Sequence, residues 1–487
     1  DIETTAAGPP NKPWWESATY YYGQWMGMNP NDWVYFNDIV ARPMLARWYH
    51  TPGEDALYLS WHTNGYNGTA RGTESYVHNG ETYPRTEGSL DLQRAVHNEL
   101  IHDIRMGWDE NWIDRGQKLR NLGEIRMLWD ADLATRMPGM LLELGFHDHP
   151  DDAAALKNPR FNQLAARAIY QDIIHYFEAR DETDLLELPA SPTHLIVQNL
   201  DSGTSMRSGK SVRGGRSVRV AWSPPSTDTA QLRGDPASGY RVYTSTDAFA
   251  WHTPHFVTDT EIILPHLKLG QTFYVRVTAL NEGGESFPTK VMGVRVGHPV
   301  LLIVNGFDKL DDTETVWEND PVEGWNQRML VAQMNSGTYV FNHGDAVPSL
   351  YAWDSASHEA VSDGLVSLDQ YSIVDWILGE EGGNEQTSAL PQAAREALQA
   401  FLDNGGALLI SGTNLAYDLE AQGYDPAFLH QTLHAGYVTN DAGTYTVEPT
   451  AEGAFAGLDE FRFDAWGEYD AHAPDILTTT YGATATL

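Results

Sequence analysis

Apolar positions follow two rhythms along the first third of the chain. Residues 56–61 form a short continuous run that stops at a polar cluster, His62, Thr63, Asn64 and Gly65, which predicts a buried strand presenting side chains at its carboxyl end. Residues 140–146 form a second run, broken by Glu143. A charge inside a buried strand costs on the order of several kcal/mol unless it is paired or lies near a metal, so Glu143 needs a reason. Behind Asn158 as cap and Pro159 at the first helical position, Phe161, Ala165, Ala168, Ile169 and Tyr176 recur at helical spacing and predict a helix. Strand-like and helix-like segments alternate, as in an α/β domain.

The rhythm changes twice. Residues 187–192 read as a linker, because Pro189 and Pro192 block both helix and central strand. Residues 218–222, 240–243 and 273–280 then alternate inward and outward positions between turns rich in Pro, Gly and Asn, which predicts a β-sandwich. From residue 300 the runs at 300–304, 371–379 and 407–412 are continuously apolar. An amphipathic segment at 391–402, closed by Asn404, Gly405 and Gly406, precedes the last of them. These predict a parallel sheet covered on both faces, a doubly wound α/β domain. The chain is therefore read as multidomain, with regions 1–184, 190–297 and 298–487; its 487 residues agree with about 150 per domain.

Charge separates the same regions. Residues 1–184 carry 16 basic and 28 acidic residues, net −12; residues 190–297 carry 11 and 8, net +3; residues 298–487 carry 4 and 30, net −26. The whole chain, with 31 basic and 67 acidic residues, is too negative for phosphate-led binding of nucleic acid. Seven of the basic residues are lysine, which suits an acidic secreted protein or one kept soluble in salty water. Arg207, Lys210, Arg213, Arg216 and Arg219, set among Ser and Gly, read either as a solvated loop or as a contact for an anionic wall polymer or the acidic third region. No run approaches the ~18 apolar residues of a membrane helix, and the first ten residues form no targeting signal. The chain does not begin with Met and is read as a processed form or as a fragment that starts inside a domain. The absence of cysteine excludes disulfides, thiolate metal sites and a Cys nucleophile.

Several residues are candidates for chemistry. His97 and His102 imitate a zinc helix but are five apart, about 140° around a helix, and read as surface residues. The turn His147, Asp148, His149 is a weak metal candidate. Ser411 follows a strand without a paired His and acid in view. His62 and Glu143 stand out because each marks a predicted strand. One reading makes them a zinc ligand and a general base; the other makes them a satisfied buried His and a carboxylate paired with Arg115 or Arg136.

Region 1–184 resembles the zinc-dependent N-acetylmuramoyl-L-alanine amidases of the α/β type with His, Glu and His metal ligands. The resemblance rests on residues 42–46, an Arg-led helix; on Ser60, Trp61, His62, Thr63 and Asn64; on Asp114, Arg115 and Gly116; on residues 138–146; and on a closing helix at 151–174. It implies that His62 is a zinc ligand and Glu143 the catalytic carboxylate, with Asn64 and Arg115 in support. It also implies cleavage of the amide between N-acetylmuramic acid and L-alanine of peptidoglycan by a secreted, periplasmic or envelope enzyme. The family's opening Gly-His-Gly-Gly strand and its Glu-bearing helix are not found; Glu16 is the one substitute ligand in view, and the sequence as it stands is expected to be inactive. The competing reading is a noncatalytic envelope-binding or scaffolding protein on a retired amidase fold. Region 190–297 resembles a fibronectin type III module, with Trp222 in its second strand and Phe273 where a corner Tyr is usual. Region 298–487 resembles flavodoxin-like or glutamine-amidotransferase-like folds, and a noncatalytic interaction domain is expected there.

Overall fold

A computed structural model of the chain describes residues 14–16, 18–28, 37–129, 136–200, 216–227, 234–320, 324–383, 388–451, 453, 455–463, 471 and 473–485. Residues 1–185 and 186–487 form two compact units.

In the first unit, helices α1 (Thr19–Trp25) and α2 (Asp38–Tyr49) precede strand β1 (Tyr58–Asn64). Strand β2 (Thr73–Val77), helix α3 (Ser89–Gly107), strand β3 (Asp114–Leu119), the short helix α4 (Gly123–Arg126) and strand β4 (Gly139–Phe146) follow. Helices α5 (Pro150–Lys157) and α6 (Pro159–Asp181) close the unit. The sheet order is β1-β4-β2-β3. It is mixed: β4 runs parallel to β1 and antiparallel to β2. Strand β1 is an edge among the described strands, with Leu59 half-buried and Trp61 exposed, so the expectation of a buried first strand is corrected. By contrast β4 is buried throughout except at Glu143, as its apolar run requires.

The helices follow their periodicity. Leu92, Val96, Leu100 and Ile104 line the buried stripe of α3, and Phe161, Ala165, Ala168, Ile169 and Tyr176 that of α6. Asn158 caps α6 by accepting from the Arg160 amide at 3.0 Å, with Pro159 at the first helical position. This cap divides the expected closing helix at 151–174 in two, since Pro159 has no N–H to continue the α5 ladder.

In the second unit, β5 (Thr193–Leu200), β6 (Arg216–Ser223) and β9 (Glu261–Leu267) form one layer of a sandwich. The other layer is built from β7 (Gly239–Ser245), β8 (His255–Val257), β10 (Thr272–Asn281), β11 (Gly284–Glu285) and β12 (Met292–Arg295). Trp222 and Phe273 are buried between the layers. Of the basic stretch, Arg207, Lys210 and Arg213 lie outside the described residues, and Arg219 on β6 pairs with Glu261 at 2.9 Å.

Four strands beyond residue 297 run parallel: β13 (Pro299–Asn305), β16 (Ala352–Ser357), β17 (Ile373–Gly379) and β18 (Ala407–Gly412), in the order β18-β17-β13-β16. The hairpin of β14 (Val316–Asp320) and β15 (Gly324–Arg328) and helices α7 (Val331–Met334) and α8 (Tyr339–Ala346) lie between β13 and β16. Helix α9 (His358–Ser362) follows β16, and α10 (Gln392–Asp403) links β17 to β18. Alternate residues of β13 face different cores. Leu301 and Ile303 pack with Val340 of α8 and the sandwich interior, while Leu302 and Val304 pack with α9 and α10. Ser411 is exposed on the edge strand β18.

The sandwich and the parallel strands are not separated at residue 297. Strand β16 pairs with β12 and with β5, so one hydrogen-bonded array of 12 strands crosses that position. Asp354 Oδ1 accepts from the Asn199 backbone amide at 2.9 Å and from its side-chain amide at 2.8 Å. The Arg295 guanidinium donates to the carbonyls of Gly344, Val347, Pro348 and Tyr351.

Candidate active site

Parallel pairing of β1 with β4 sets His62 opposite Glu143. Antiparallel pairing of β2 with β4 sets Glu74 opposite Glu143 on the other side. Registered residues on adjacent strands share a face, so an imidazole and two carboxylates form a row across the sheet. The two residues singled out by their strands are thus neighbours, although they sit in mid-strand and not beyond the carboxyl ends.

The members of the row are in different states. Glu74 is buried, and burial alone would raise its pKa. Hydrogen bonds from Lys118, Tyr76 and Arg115 outweigh that and hold the carboxyl below its usual range. Tyr76 donates to Oε1 at 2.7 Å, Asn64 donates to the same oxygen at 2.7 Å, and Arg115 Nε donates to Oε2 at 2.9 Å. Glu143 has none of this support. Its Oε2 is buried with no hydrogen-bond partner. Burial, with the negative charges of Glu74 and Glu124 added, pushes its pKa up to about 7. The reading in which Glu143 pairs with Arg115 or Arg136 is therefore corrected: Arg115 serves Glu74, and Arg136 lies 4.9 Å over the Trp129 ring.

His62 is half-buried, with Nε2 3.0 Å from Ser60 Oγ. Burial lowers its pKa, an effect that Glu124 opposes and Arg42 reinforces, so the ring is neutral at pH 7. An open cleft of about 550 Å³ runs along β1, lined by His62, Ser60, Tyr58, Trp61 and Arg42. Arg42, on α2, is held by Asp38 through bonds of 2.9 and 2.7 Å.

The other candidates are bound up with the fold. His97 is buried and its Nε2 lies 2.9 Å from Asp114 Oδ1, which corrects its reading as a surface residue; His102 is exposed. Asp148 accepts from the amides of Tyr66 and Gly68, each at 2.9 Å, and His149 caps α5. His147 Nδ1 lies 3.2 Å from Thr63 Oγ1. Glu16 is exposed in the turn Trp14–Glu16. Sequence reasoning missed Glu74 and Glu124. The signal for Glu74 is faint, because the segment Thr73–Val77 is buried at every position yet is mostly polar in composition.

A neutral imidazole beside an orphaned buried carboxylate oxygen suits one metal ligand and one base. Among the described residues no group of three metal-competent side chains gathers at His62; the one such group is Asp308, His358 and Glu359, in the second unit.

Comparison with known proteins finds matches to the first two regions. The family model of N-acetylmuramoyl-L-alanine amidases matches residues 41–175, and that of the fibronectin type III domain matches residues 210–294. The chain thus carries an amidase-type region followed by a fibronectin type III region. An uncharacterized cell wall amidase of Bacillus anthracis is 34% identical over 125 residues, 25% of this chain and 21% of that protein. A sporulation-specific N-acetylmuramoyl-L-alanine amidase of Bacillus subtilis is 34% identical over 111 residues, 23% of this chain and 36% of that one. The match thus spans about a fifth to a third of these relatives' length. Among solved structures, an N-acetylmuramoyl-L-alanine amidase from Clostridium difficile is similar over 30% of this chain and 71% of its own, at 22% identity and a TM-score of 0.24.

Proposed function

We propose that the first unit hydrolyses the amide between N-acetylmuramic acid and L-alanine of peptidoglycan, with Glu143 as general base and acid. The observation that carries this reading is the unpartnered, buried Oε2 of Glu143 beside His62. A carboxyl poised near pH 7 is suited to take a proton from attacking water as it adds and to return it to the leaving amine. Glu74 acts as the fixed anion that orients Asn64 and Arg115. The cleft along β1 holds the glycan-peptide junction, with Arg42 and Trp61 as its polar and apolar walls. His62 would hold one position of a zinc ion, which when bound polarises the amide carbonyl and acidifies water.

Under this reading the protein is a secreted or envelope hydrolase with regions 1–184, 190–297 and 298–487, the latter two joined through one sheet and the last a doubly wound interaction region. The strand order β18-β17-β13-β16 supports that fold. Among the described residues no helix is long and apolar enough to cross a membrane.

The test is release of free L-alanine amino termini from peptidoglycan by the protein. Glu143→Gln and His62→Ala are each expected to lower the rate at least about 100-fold while Trp222→Phe leaves it unchanged. Full activity in Glu143→Gln rejects the role, and binding of peptidoglycan without release by the parent selects the scaffolding alternative.

A further inference from the structure

We propose that the second unit contains a binding site for a divalent transition-metal ion, built from Asp308, His358 and Glu359. Asp308 follows β13, and His358 and Glu359 follow β16, so all three stand just beyond the carboxyl ends of two adjacent parallel strands. In open α/β sheets that edge is where ligands bind. His358 Nε2 lies 2.7 Å from Asp308 Oδ2 and 4.0 Å from Glu359 Oε2, and the three candidate ligand atoms fall within 4.8 Å of one another. Bonds of about 2.0–2.2 Å to one ion require the first pair to open and the wider separations to close, each through side-chain rotation.

Two further observations point to a ligand. Ser357, more than nine-tenths buried, has an Oγ with no hydrogen-bond partner, and Glu359 Oε2 is likewise buried without one. Both residues line a cavity of about 290 Å³ together with Asp308 and Asn305. A buried hydroxyl and a buried carboxylate oxygen left unpaired are each unfavourable, and a cation beside Glu359 relieves the carboxylate. Lys290 bonds the other oxygen of Asp308, so Oδ2, which now meets His358 Nε2, is the oxygen that would turn to the ion. Once the His358 ring has given up its proton, two carboxylates and an imidazole offer donors that select zinc or a neighbouring transition metal over magnesium and calcium. Three protein ligands leave a coordination position open towards the cavity, where Ser357 and Asn305 offer polar contacts to whatever small oxygen ligand fills it.

The test uses the full chain carrying His62→Ala, so that the first unit's site does not contribute, stripped by chelator and titrated with Zn²⁺ against a chromophoric competitor. One ion per chain is expected, with affinity falling at least about tenfold on adding Glu359→Gln or His358→Gln. Circular dichroism checks that the variants fold. In the parent chain, Zn²⁺ should also slow acylation of His358 by diethylpyrocarbonate, read by peptide mass spectrometry, which needs no variant at all. No ion retained by the His62→Ala chain, equal affinity in Glu359→Gln, or acylation of His358 indifferent to Zn²⁺ overturns the proposal. None of these readouts involves peptidoglycan, so the hydrolase reading stands or falls separately.

Discussion

Glu143 and Glu74 face each other across two strands and respond to pH in opposite directions. The folded pKa of Glu143 is raised from 4.5 to about 7, so between those values the native state binds more protons than the unfolded one. Its favourable contribution is complete below about pH 4.5 and is lost as pH rises through 7. Glu143→Gln should therefore raise the unfolding free energy of the first unit on the order of 1–2 kcal/mol at pH 8 and leave it nearly unchanged at pH 4.5, read by urea melts at both values. The same gain at both pH values excludes a neutralised carboxyl. Glu74 is held below its ordinary value, so its stabilisation is present above pH 4.5 and lost as pH falls through the lowered value. Glu74→Gln leaves Arg115 and Lys118 without their carboxylate and should destabilise by about 2–4 kcal/mol at pH 7. A thermal midpoint within a degree of the parent's rules this out. Neither state follows from residue identity, because the partners that separate them are 41 and 44 positions away from Glu74.

At the scale of elements, what places the row is the pairing of β4 with both β1 and β2, and that pairing depends on one tight passage. Gly72, just before β2, has φ +95°, and a Cβ there would stand 2.2 Å from the Ile113 carbonyl oxygen. Its amide donates to Asp152 Oδ2 at 2.7 Å, and the same oxygen accepts from the Phe146 amide at the end of β4. Gly72→Ala should destabilise the first unit by about 2–3 kcal/mol through left-handed strain and overlap together. A loss under about 0.5 kcal/mol in urea denaturation would mean that the loop has another low-energy path. The long helices were legible because their buried stripes repeat every 3.6 residues and their ends carry local signals, Asn158 with Pro159 for α6 and Gly405 at φ +87° after α10. Strand β2 was not, because its burial comes from neighbours on both faces and not from its own composition.

For the molecule as a whole, the array of 12 strands makes the sandwich and the parallel strands one cooperative body. Splitting them would expose the edges of β12, β5 and β16 and break the Asn199–Asp354 and Arg295 hydrogen bonds. Calorimetry of the full chain is accordingly expected to show two transitions, for residues 1–185 and 186–487, and not three; a separate melting of 190–297 would contradict this. The sequence by itself determined the succession of α/β, sandwich and α/β character and the helix behind Asn158 and Pro159, and it singled out His62 and Glu143, which the fold makes neighbours. Each of these rests on periodicity or on a charge set in an apolar run, which are local properties. Only the tertiary structure decided that β1 lies at an edge among the described strands, that Glu74 completes the row, that β16 joins two regions into one sheet, and that Asp308 meets His358 and Glu359. Those facts depend on which strand lies beside which, and register between segments tens of residues apart leaves no periodic trace in the chain.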